Sequence, residues 1–232
     1  KEQWFLLKEP NDSVFDILDI AVSPDDNSII YASTWGHGLL EFKNGNINQY
    51  WNVLNSSLEQ YSLANDSSVR IWGLCFDDNS NLWVSNSNSK SQLSVKTPDN
   101  KWINYSISSS LIDQHTGKLG IDNYNRKWLQ LGKDMGLVVF DDNNTLENKS
   151  DDKYLVLTNS SNGGNLAGPN VLDFAFDNDD ELWIGTDKGL CVIYSINDVF
   201  ENNFKGAEKI LIDQGGQAQY LLETEEVTAI VV

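Results

Sequence analysis

The stretch Asp177-Asn-Asp-Asp-Glu-Leu-Trp-Ile-Gly-Thr-Asp-Lys-Gly-Leu-Cys-Val-Ile-Tyr194 combines a polar start with two short apolar runs. Its Asn/Asp-rich start favours a tight turn, because these side chains bond to nearby backbone and tolerate positive φ. The runs Leu182 to Thr186 and Leu190 to Tyr194 are typical of buried β-strands. Gly189 lies between them and suits a hairpin that needs unusual dihedral angles. The stretch therefore predicts a β-hairpin behind an acidic turn.

The pattern occurs three more times in the chain. In each copy an aromatic residue follows an aligned Asp by six positions, as in Asp25 to Tyr31, Asp77 to Trp83, Asp122 to Trp128 and Asp177 to Trp183. The aromatic residues lie 52, 45 and 55 residues apart. This spacing suits a repeat of four strands, as in the blades of a propeller.

Each repeat predicts four antiparallel strands. The first strands are Ile17 to Val22, Ile71 to Phe76, Lys118 to Ile121 and Val171 to Phe176. The fourth strands are Ile47 to Trp51, Trp102 to Tyr105, Tyr154 to Leu157 and Ile210 to Ile212. The sequence therefore predicts an all-β fold, a partial β-propeller of four-stranded blades in one domain, with blades at residues 14–52, 69–107, 115–158 and 171–213. Residues 196–203 predict a short helical turn.

Two further strands are predicted outside these blades, at residues 3–8 and 227–232. A row of four blades leaves two apolar blade faces uncovered. We therefore expect the chain to be part of a longer protein whose remaining sequence closes the ring. In the alternative arrangement the two end strands pair within one incomplete closing blade.

The charge of the chain limits its partners. Its formal net charge is −18, so it repels nucleic-acid backbones and anionic membrane surfaces. Cations, neutral glycans and basic proteins remain possible partners. No apolar run approaches the length needed to span a membrane as a helix.

Metal, disulfide and cofactor sites are not predicted. Cys75 and Cys191 each lie in an apolar run, which favours buried thiols over a disulfide. His37 and His115 are not paired with them at zinc-binding spacing. The turn at Asp77 begins like a calcium loop but lacks its Gly and closing Glu, so it is interpreted as a hairpin turn.

Catalytic motifs are also missing from the sequence. It has no Gly-x-Ser-x-Gly element, phosphate loop or dinucleotide fingerprint. With 34 acidic residues, a pair of carboxylates has no diagnostic value for glycosidase chemistry. A non-enzymatic role is predicted, with a polysaccharide lyase or hydrolase as a weaker alternative.

Candidate ligand-binding residues lie in predicted turns and long connections. Trp35 and His37 lie in the turn after the second strand of the first repeat. Tyr61 and Tyr220 lie in long connections, which often carry function. Trp35 is the sharpest candidate because no other repeat has an aromatic there, although it could also fold back over its own blade.

The stretch from Asp177 to Tyr194 resembles the two-component regulator propeller repeat, which reads approximately Asp-x-x-Gly-x-Leu-Trp-Ile-Gly-Thr-x-x-Gly-Leu. Asp180 replaces the turn Gly, and the other three repeats match more loosely. Residues 215–230 are similar to PorZ-like surface proteins of the type IX secretion system in Bacteroidetes. This resemblance implies a non-catalytic binding and scaffolding role in the periplasm or at the cell surface, with secretion subunits or a lipopolysaccharide as partners. The alternative is the periplasmic glycan-sensing domain of a hybrid two-component system.

Overall fold

Antiparallel strands form nearly all the regular structure in the computed structural model, which describes residues 16–62 and 67–232. The chain divides into two compact units, Lys1–Gln114 and His115–Val232. Each unit contains two four-stranded blades. The all-β fold is as predicted, and the single domain stays a prediction.

Blade one consists of β1 (Ile17–Val22), β2 (Ile29–Gly36), β3 (Leu39–Lys43) and β4 (Asn46–Trp51). Blade two consists of β5 (Val69–Phe76), β6 (Leu82–Asn86), β7 (Leu93–Lys96) and β8 (Trp102–Tyr105). Within each blade, consecutive strands pair antiparallel. A short 3-10 turn at Ser109–Leu111 follows blade two.

The second unit contains blade three, made of β9 (Thr116–Ile121), β10 (Lys127–Leu131), β11 (Leu137–Asp141) and β12 (Lys153–Leu157). Blade four is made of β13 (Val171–Phe176), β14 (Leu182–Thr186), β15 (Gly189–Ile193) and β16 (Glu208–Lys209). The predicted helical turn is a 3-10 turn at Ile196–Asp198. A separate hairpin follows, with β17 (Leu211–Gln214) and β18 (Gln217–Tyr220).

Two predicted strands differ from the structure. Residues 210–212 were expected to be the fourth strand of blade four, but β16 takes that place and Leu211 begins the separate hairpin. The Gly215-Gly216 pair has φ of 67° and 84°, which allows the chain to turn back there. No strand is assigned at residues 227–232, and the one predicted at 3–8 lies outside the described residues.

A hydrogen bond between the aligned Asp and the aromatic residue explains the repeat. The indole Nε1 donates to the carboxylate six positions earlier in Asp77–Trp83 (2.9 Å), Asp122–Trp128 (2.8 Å) and Asp177–Trp183 (2.7 Å). The other carboxylate oxygen of Asp77 accepts the backbone N–H groups of Asn79 and Asn81. One side chain therefore closes the turn and holds the core Trp, which confirms the hairpin interpretation of the calcium-like turn.

Within each unit, an aromatic contact joins the two blades at equivalent positions. Tyr31 of blade one meets Phe76 of blade two edge-on, with ring centroids 5.9 Å apart. Trp128 of blade three meets Phe176 of blade four in the same way at 6.2 Å. Trp83 and Trp128 are fully buried, as predicted, whereas Trp183 is partly exposed. Burial of such rings stabilises each stack of two blades.

Within each unit, a side chain on the earlier first strand also reaches the backbone of the later first strand. Asp19 accepts the N–H of Leu74 at 2.9 Å in the first unit. Lys118 donates to the carbonyl of Phe174 at 2.8 Å, and Asp173 accepts the N–H of Ile230 at 2.7 Å. Leu74 and Phe174 occupy aligned positions, opposite the residue after the blade's Trp. The backbone of Ile230 is therefore held by the preceding first strand in a similar way, although residues 227–232 pair with no second strand in the described chain.

In blades one and three, the hairpin between the second and third strands depends on glycine. Gly136 has φ of 77°, and a Cβ there would lie 2.0 Å from the carbonyl oxygen of Leu157. Gly38 has φ of 81°, and its Cβ would lie 2.3 Å from the carbonyl oxygen of Trp51. Any larger residue would clash with backbone, so glycine is required at both turns.

Both cysteines are free thiols in the structure. Cys191 is fully buried in the core of the second unit, and Cys75 is partly exposed. The prediction of thiols instead of a disulfide is confirmed. Burial raises the pKa of the Cys191 thiol to about 11, because the charged thiolate is poorly solvated there.

Candidate functional site

Trp35 lies at the end of a strand, not in a turn as predicted. Strand β2 continues through Gly36, and Trp35 pairs antiparallel with Arg70 of β5. Val69 then bridges to His37 and accepts the N–H of Gly38 at 3.0 Å. Blades one and two thus join into one eight-stranded sheet at this end. The pairing fixes Trp35 beside the start of blade two.

The connection before β5 is anchored on blade two through Glu59. Its carboxylate accepts the backbone N–H groups of Lys90 at 2.8 Å and Ser91 at 2.9 Å, and also the Ser91 hydroxyl. The Glu59 N–H donates to the Asn86 side chain at 2.6 Å. Charge-assisted bonds of this kind hold a loop firmly. The connection therefore presents Tyr61, two residues later, from a fixed base.

Arg70 lies between an aromatic ring of blade one and an aromatic ring of the connection. Its guanidinium carbon is 3.7 Å from the centroid of the Tyr61 ring and 5.1 Å from that of Trp35. Trp72 meets Trp35 edge-on at 5.7 Å. Such cation–π contacts contribute about 0.5–2 kcal/mol each. We call Trp35, Tyr61, Arg70 and Trp72 the aromatic–arginine cluster.

The aromatic–arginine cluster is partly open to solvent. Trp72 is 39% exposed, and Trp35, Tyr61 and Arg70 are half-buried. The Arg70 Nε is buried with no hydrogen-bond partner among the described residues. A ligand here would meet flat apolar rings beside a cationic donor.

Two cavities flank the connection that carries Tyr61. One of about 530 Å³ is lined by Tyr61, Ser62 and Lys90 among others, and one of about 610 Å³ is lined by His37 and Leu54 among others. Val53 and Gln60 line both cavities, so the two cavities are neighbours. Their volumes lie within the usual range for ligand sites, about 300–1,000 Å³.

The structure thus brings together three of the four predicted site residues, namely Trp35, His37 and Tyr61. The Trp35 ring meets Trp72 of blade two edge-on. Tyr220 belongs to the second unit, where it lies on β18, is 42% exposed and has the Lys209 ammonium 5.5 Å from its ring centroid.

The sequence analysis missed Arg70 and Trp72. Trp72 lies in the predicted first strand Ile71 to Phe76, which was interpreted simply as buried, and Arg70 directly precedes that predicted strand. A cation at the start of an apolar strand is unusual in a chain with 16 basic residues. A Trp adjacent to the core residue Ile71 must point to the opposite face of the strand. These two signals together could have identified the cluster.

No group of three or more His, Cys, Asp or Glu side chains suited to a metal ion occurs within residues 16–62 and 67–232. In the same part of the chain no helix has the length and apolar character needed to cross a membrane.

Comparison with known proteins relates the fold to propellers. The family model of the two component regulator propeller matches residues 165–188, which include the start of the stretch quoted above. The fold is similar to that of PorZ, a surface component of the type-IX secretion system of Porphyromonas gingivalis (TM-score 0.83, 24% identity). That match covers 93% of this chain and 30% of PorZ, so the chain spans less than a third of that protein.

Other propellers are similar at lower identity. The extracellular domain of a B. thetaiotaomicron protein assigned to the hybrid two component systems matches with TM-score 0.60 and 16% identity, over 97% of this chain and 29% of that one. Virginiamycin B lyase of Staphylococcus aureus matches with TM-score 0.59 and 13% identity, over 90% and 59%. No curated protein sequence matches the chain. The likenesses confirm the predicted propeller fold.

Proposed function

We propose that the chain is a non-catalytic binding module that acts outside the cytoplasm, as a PorZ-like surface component of type IX secretion. The aromatic–arginine cluster carries this proposal. It combines Trp, Tyr and Arg, the residue types that dominate the energetics of protein interfaces. The likeness to PorZ, a surface component by description, supports the setting.

The charge of the chain favours a protein partner with a basic surface. A net charge of −18 attracts such a partner over long range and repels polyanions. At the cluster itself, the rings provide apolar contact, and Arg70 provides N–H groups for carbonyl or carboxylate oxygens of the partner.

A second candidate function is glycan sensing in the periplasm. The likeness to the extracellular domain of a two component system protein supports this candidate. Partly exposed Trp rings stack on sugar rings, and the 39% exposure of Trp72 leaves room for such a contact.

A propeller fold can also carry an enzyme site, so the fold alone does not establish a non-catalytic role. The non-catalytic role is therefore part of the proposal. The similarity to a lyase makes an activity assay necessary. We expect no turnover of polysaccharides by the protein. Turnover that a single carboxylate substitution abolishes would contradict the proposal.

Binding experiments on the full-length protein test the cluster. The variants Trp35→Ala and Trp72→Ala are compared with the wild type against purified outer-membrane proteins and against a glycan array. Tyr154→Ala removes an aromatic residue of the second unit that is 48% exposed and serves as the control. Loss of a hot-spot ring weakens binding by about tenfold or more.

The pattern of loss separates the two functions. Weaker binding to a protein partner in both Trp variants supports the secretion role. Weaker binding to glycans alone supports sensing. If Trp35→Ala and Trp72→Ala both bind every ligand as tightly as the wild type does, the assignment of the site is wrong.

A further inference from the structure

A polar cavity of about 340 Å³ lies between blades one and two, at the opposite end of β2 from Trp35. It opens among the turns after β1, β5 and β7. Asp25, Asp26, Glu41, Lys43 and Lys96 contribute charged groups to its lining. It shares no lining residue with the aromatic–arginine cluster, so it is a separate site.

Lys96 brings an unpaired ammonium group to this cavity. The residue is only 5% exposed, and an ammonium carries three N–H donors. The ammonium makes no hydrogen bond or ion pair within residues 16–62 and 67–232; its contacts there are with the rings of Tyr31 and Trp51, whose centroids are each 5.4 Å from Nζ. Burial lowers the pKa of Lys96, although the charges of Glu41 and Asp99 oppose this.

The oxygens of Glu41 accept hydrogen bonds from groups other than Lys96. One oxygen accepts from the Asn48 amide at 2.6 Å, and the other from Trp51 Nε1 at 2.9 Å. The Tyr31 hydroxyl also bonds to this carboxylate, and burial followed by the charge of Glu41 raises the pKa of Tyr31. Lys96 is thus held in place by rings and faces the cavity with free donors.

Lys96 lines the cavity and is otherwise almost fully buried. A group that fills the cavity must therefore bring an acceptor to Lys96, because a donor that loses water without gaining an acceptor is destabilising. It must also tolerate the carboxylates of Asp25, Asp26 and Glu41, which outnumber the lysines of the lining. A free anion is disfavoured by this balance, whereas a hydroxyl group can accept from an ammonium and donate to a carboxylate.

We propose that this cavity binds one neutral sugar residue, with hydroxyl oxygens accepting from Lys96 and hydroxyl protons donated to Asp25 and Asp26. Partly exposed apolar surface on Ile29 and Phe76 faces the ring carbons. The volume is at the small end of the range for ligand cavities, about 300–1,000 Å³, so a single ring fits better than a longer chain.

Binding of neutral monosaccharides tests the proposal. Wild-type protein is titrated with D-glucose, D-galactose, D-mannose and L-fucose, and separately with sodium acetate, by saturation-transfer NMR. Lys96→Met keeps the length of the side chain and removes the donors. Lys101→Met makes the same change at an exposed lysine of the same blade that does not line the cavity.

We expect saturable binding of at least one sugar, weakened about tenfold or more by Lys96→Met and unchanged by Lys101→Met. Asp25→Asn, at an exposed position on the rim, should weaken binding to a smaller extent and tests the site even if Lys96→Met fails to fold. Trp35→Ala should bind the sugar normally, which separates this site from the aromatic–arginine cluster.

Several results would overturn the proposal. These are no binding of any of the four sugars, unchanged binding in Lys96→Met or Asp25→Asn, and loss of sugar binding in Trp35→Ala. Acetate binding that depends on Lys96, without sugar binding, would make the cavity a carboxylate site instead.

Discussion

Replacing Asp77 by Asn should destabilise the first unit much more than the size of the change suggests. The Asn amide oxygen can still accept the two backbone N–H groups of the turn. The amide nitrogen, however, replaces the oxygen that accepts from Trp83 Nε1 and Asn81 Nδ2, both at 2.9 Å. Donor then faces donor inside the blade, where Trp83 is fully buried and Asp77 is 6% exposed.

The magnitude follows from the bonds lost at Asp77. A hydrogen bond to a charged group contributes about 1.5–3 kcal/mol, and a buried indole N–H without an acceptor costs about 1–3 kcal/mol. We therefore expect a loss of about 3–5 kcal/mol for Asp77→Asn. Asp25→Asn is the matched control, because the aligned aromatic in blade one is Tyr31 and Asp25 is exposed; its loss should stay below about 0.5 kcal/mol.

Urea unfolding followed by tryptophan fluorescence measures these losses. The variant Trp83→Phe removes the indole donor, so Asp77→Asn should cost less in that background. The coupling between the two positions should be about 1–2 kcal/mol. A loss below about 1 kcal/mol for Asp77→Asn, or no coupling to Trp83, would refute the reasoning that the Asp–Trp bond holds the repeat together.

Three further predictions concern buried or shifted groups. Lys127 and Asp142 form an ion pair with side chains 0% and 2% exposed. By thermal unfolding, Lys127→Met alone should cost about 3–5 kcal/mol of stability, and adding Asp142→Leu should restore much of that loss. A small effect of Lys127→Met would show that the two side chains do not form this pair. The pKa of about 11 for Cys191 predicts that a thiol reagent at pH 8 modifies Cys75 alone in native protein; two modified thiols would contradict this. The hydrogen bond from Trp183 lowers the pKa of Asp177 in the folded protein. The stabilisation from this carboxylate is therefore present above the pKa that Asp177 has in the unfolded chain, and it is lost as the pH falls through the pKa in the folded protein. Asp177→Asn should make stability depend less on pH in the acid range, and an unchanged acid range would argue against the bond.

Much of the fold is predictable because its decisive contact is local in sequence. The carboxylate of Asp122 and the indole of Trp128 are six residues apart and meet within one hairpin. Such a pattern repeats visibly, and it located the blades and most of their strands. The prediction failed at β16, because a two-residue strand leaves almost no trace in the sequence.

The candidate sites were less predictable because they depend on contacts between distant residues. Arg70 meets Tyr61 and Trp35 only after two strands of different blades pair. Lys96 is in an ordinary strand by sequence, and the cavity it faces exists only once blade one packs on blade two. Periodicity within one repeat contains no information about what the neighbouring blade places opposite it.

The bonds from one first strand to the next have an evolutionary consequence. Asp19 and Lys118 each reach a backbone N–H or C=O of the neighbouring first strand, and Asp173 reaches the backbone N–H of Ile230. Every residue type except proline offers both groups. These bonds therefore make no demand on the side chain of the neighbouring residue, and the positions that receive them can diverge independently between repeats. This tolerance accounts for repeats that share little beyond an Asp and an aromatic residue yet stack in the same register within each unit.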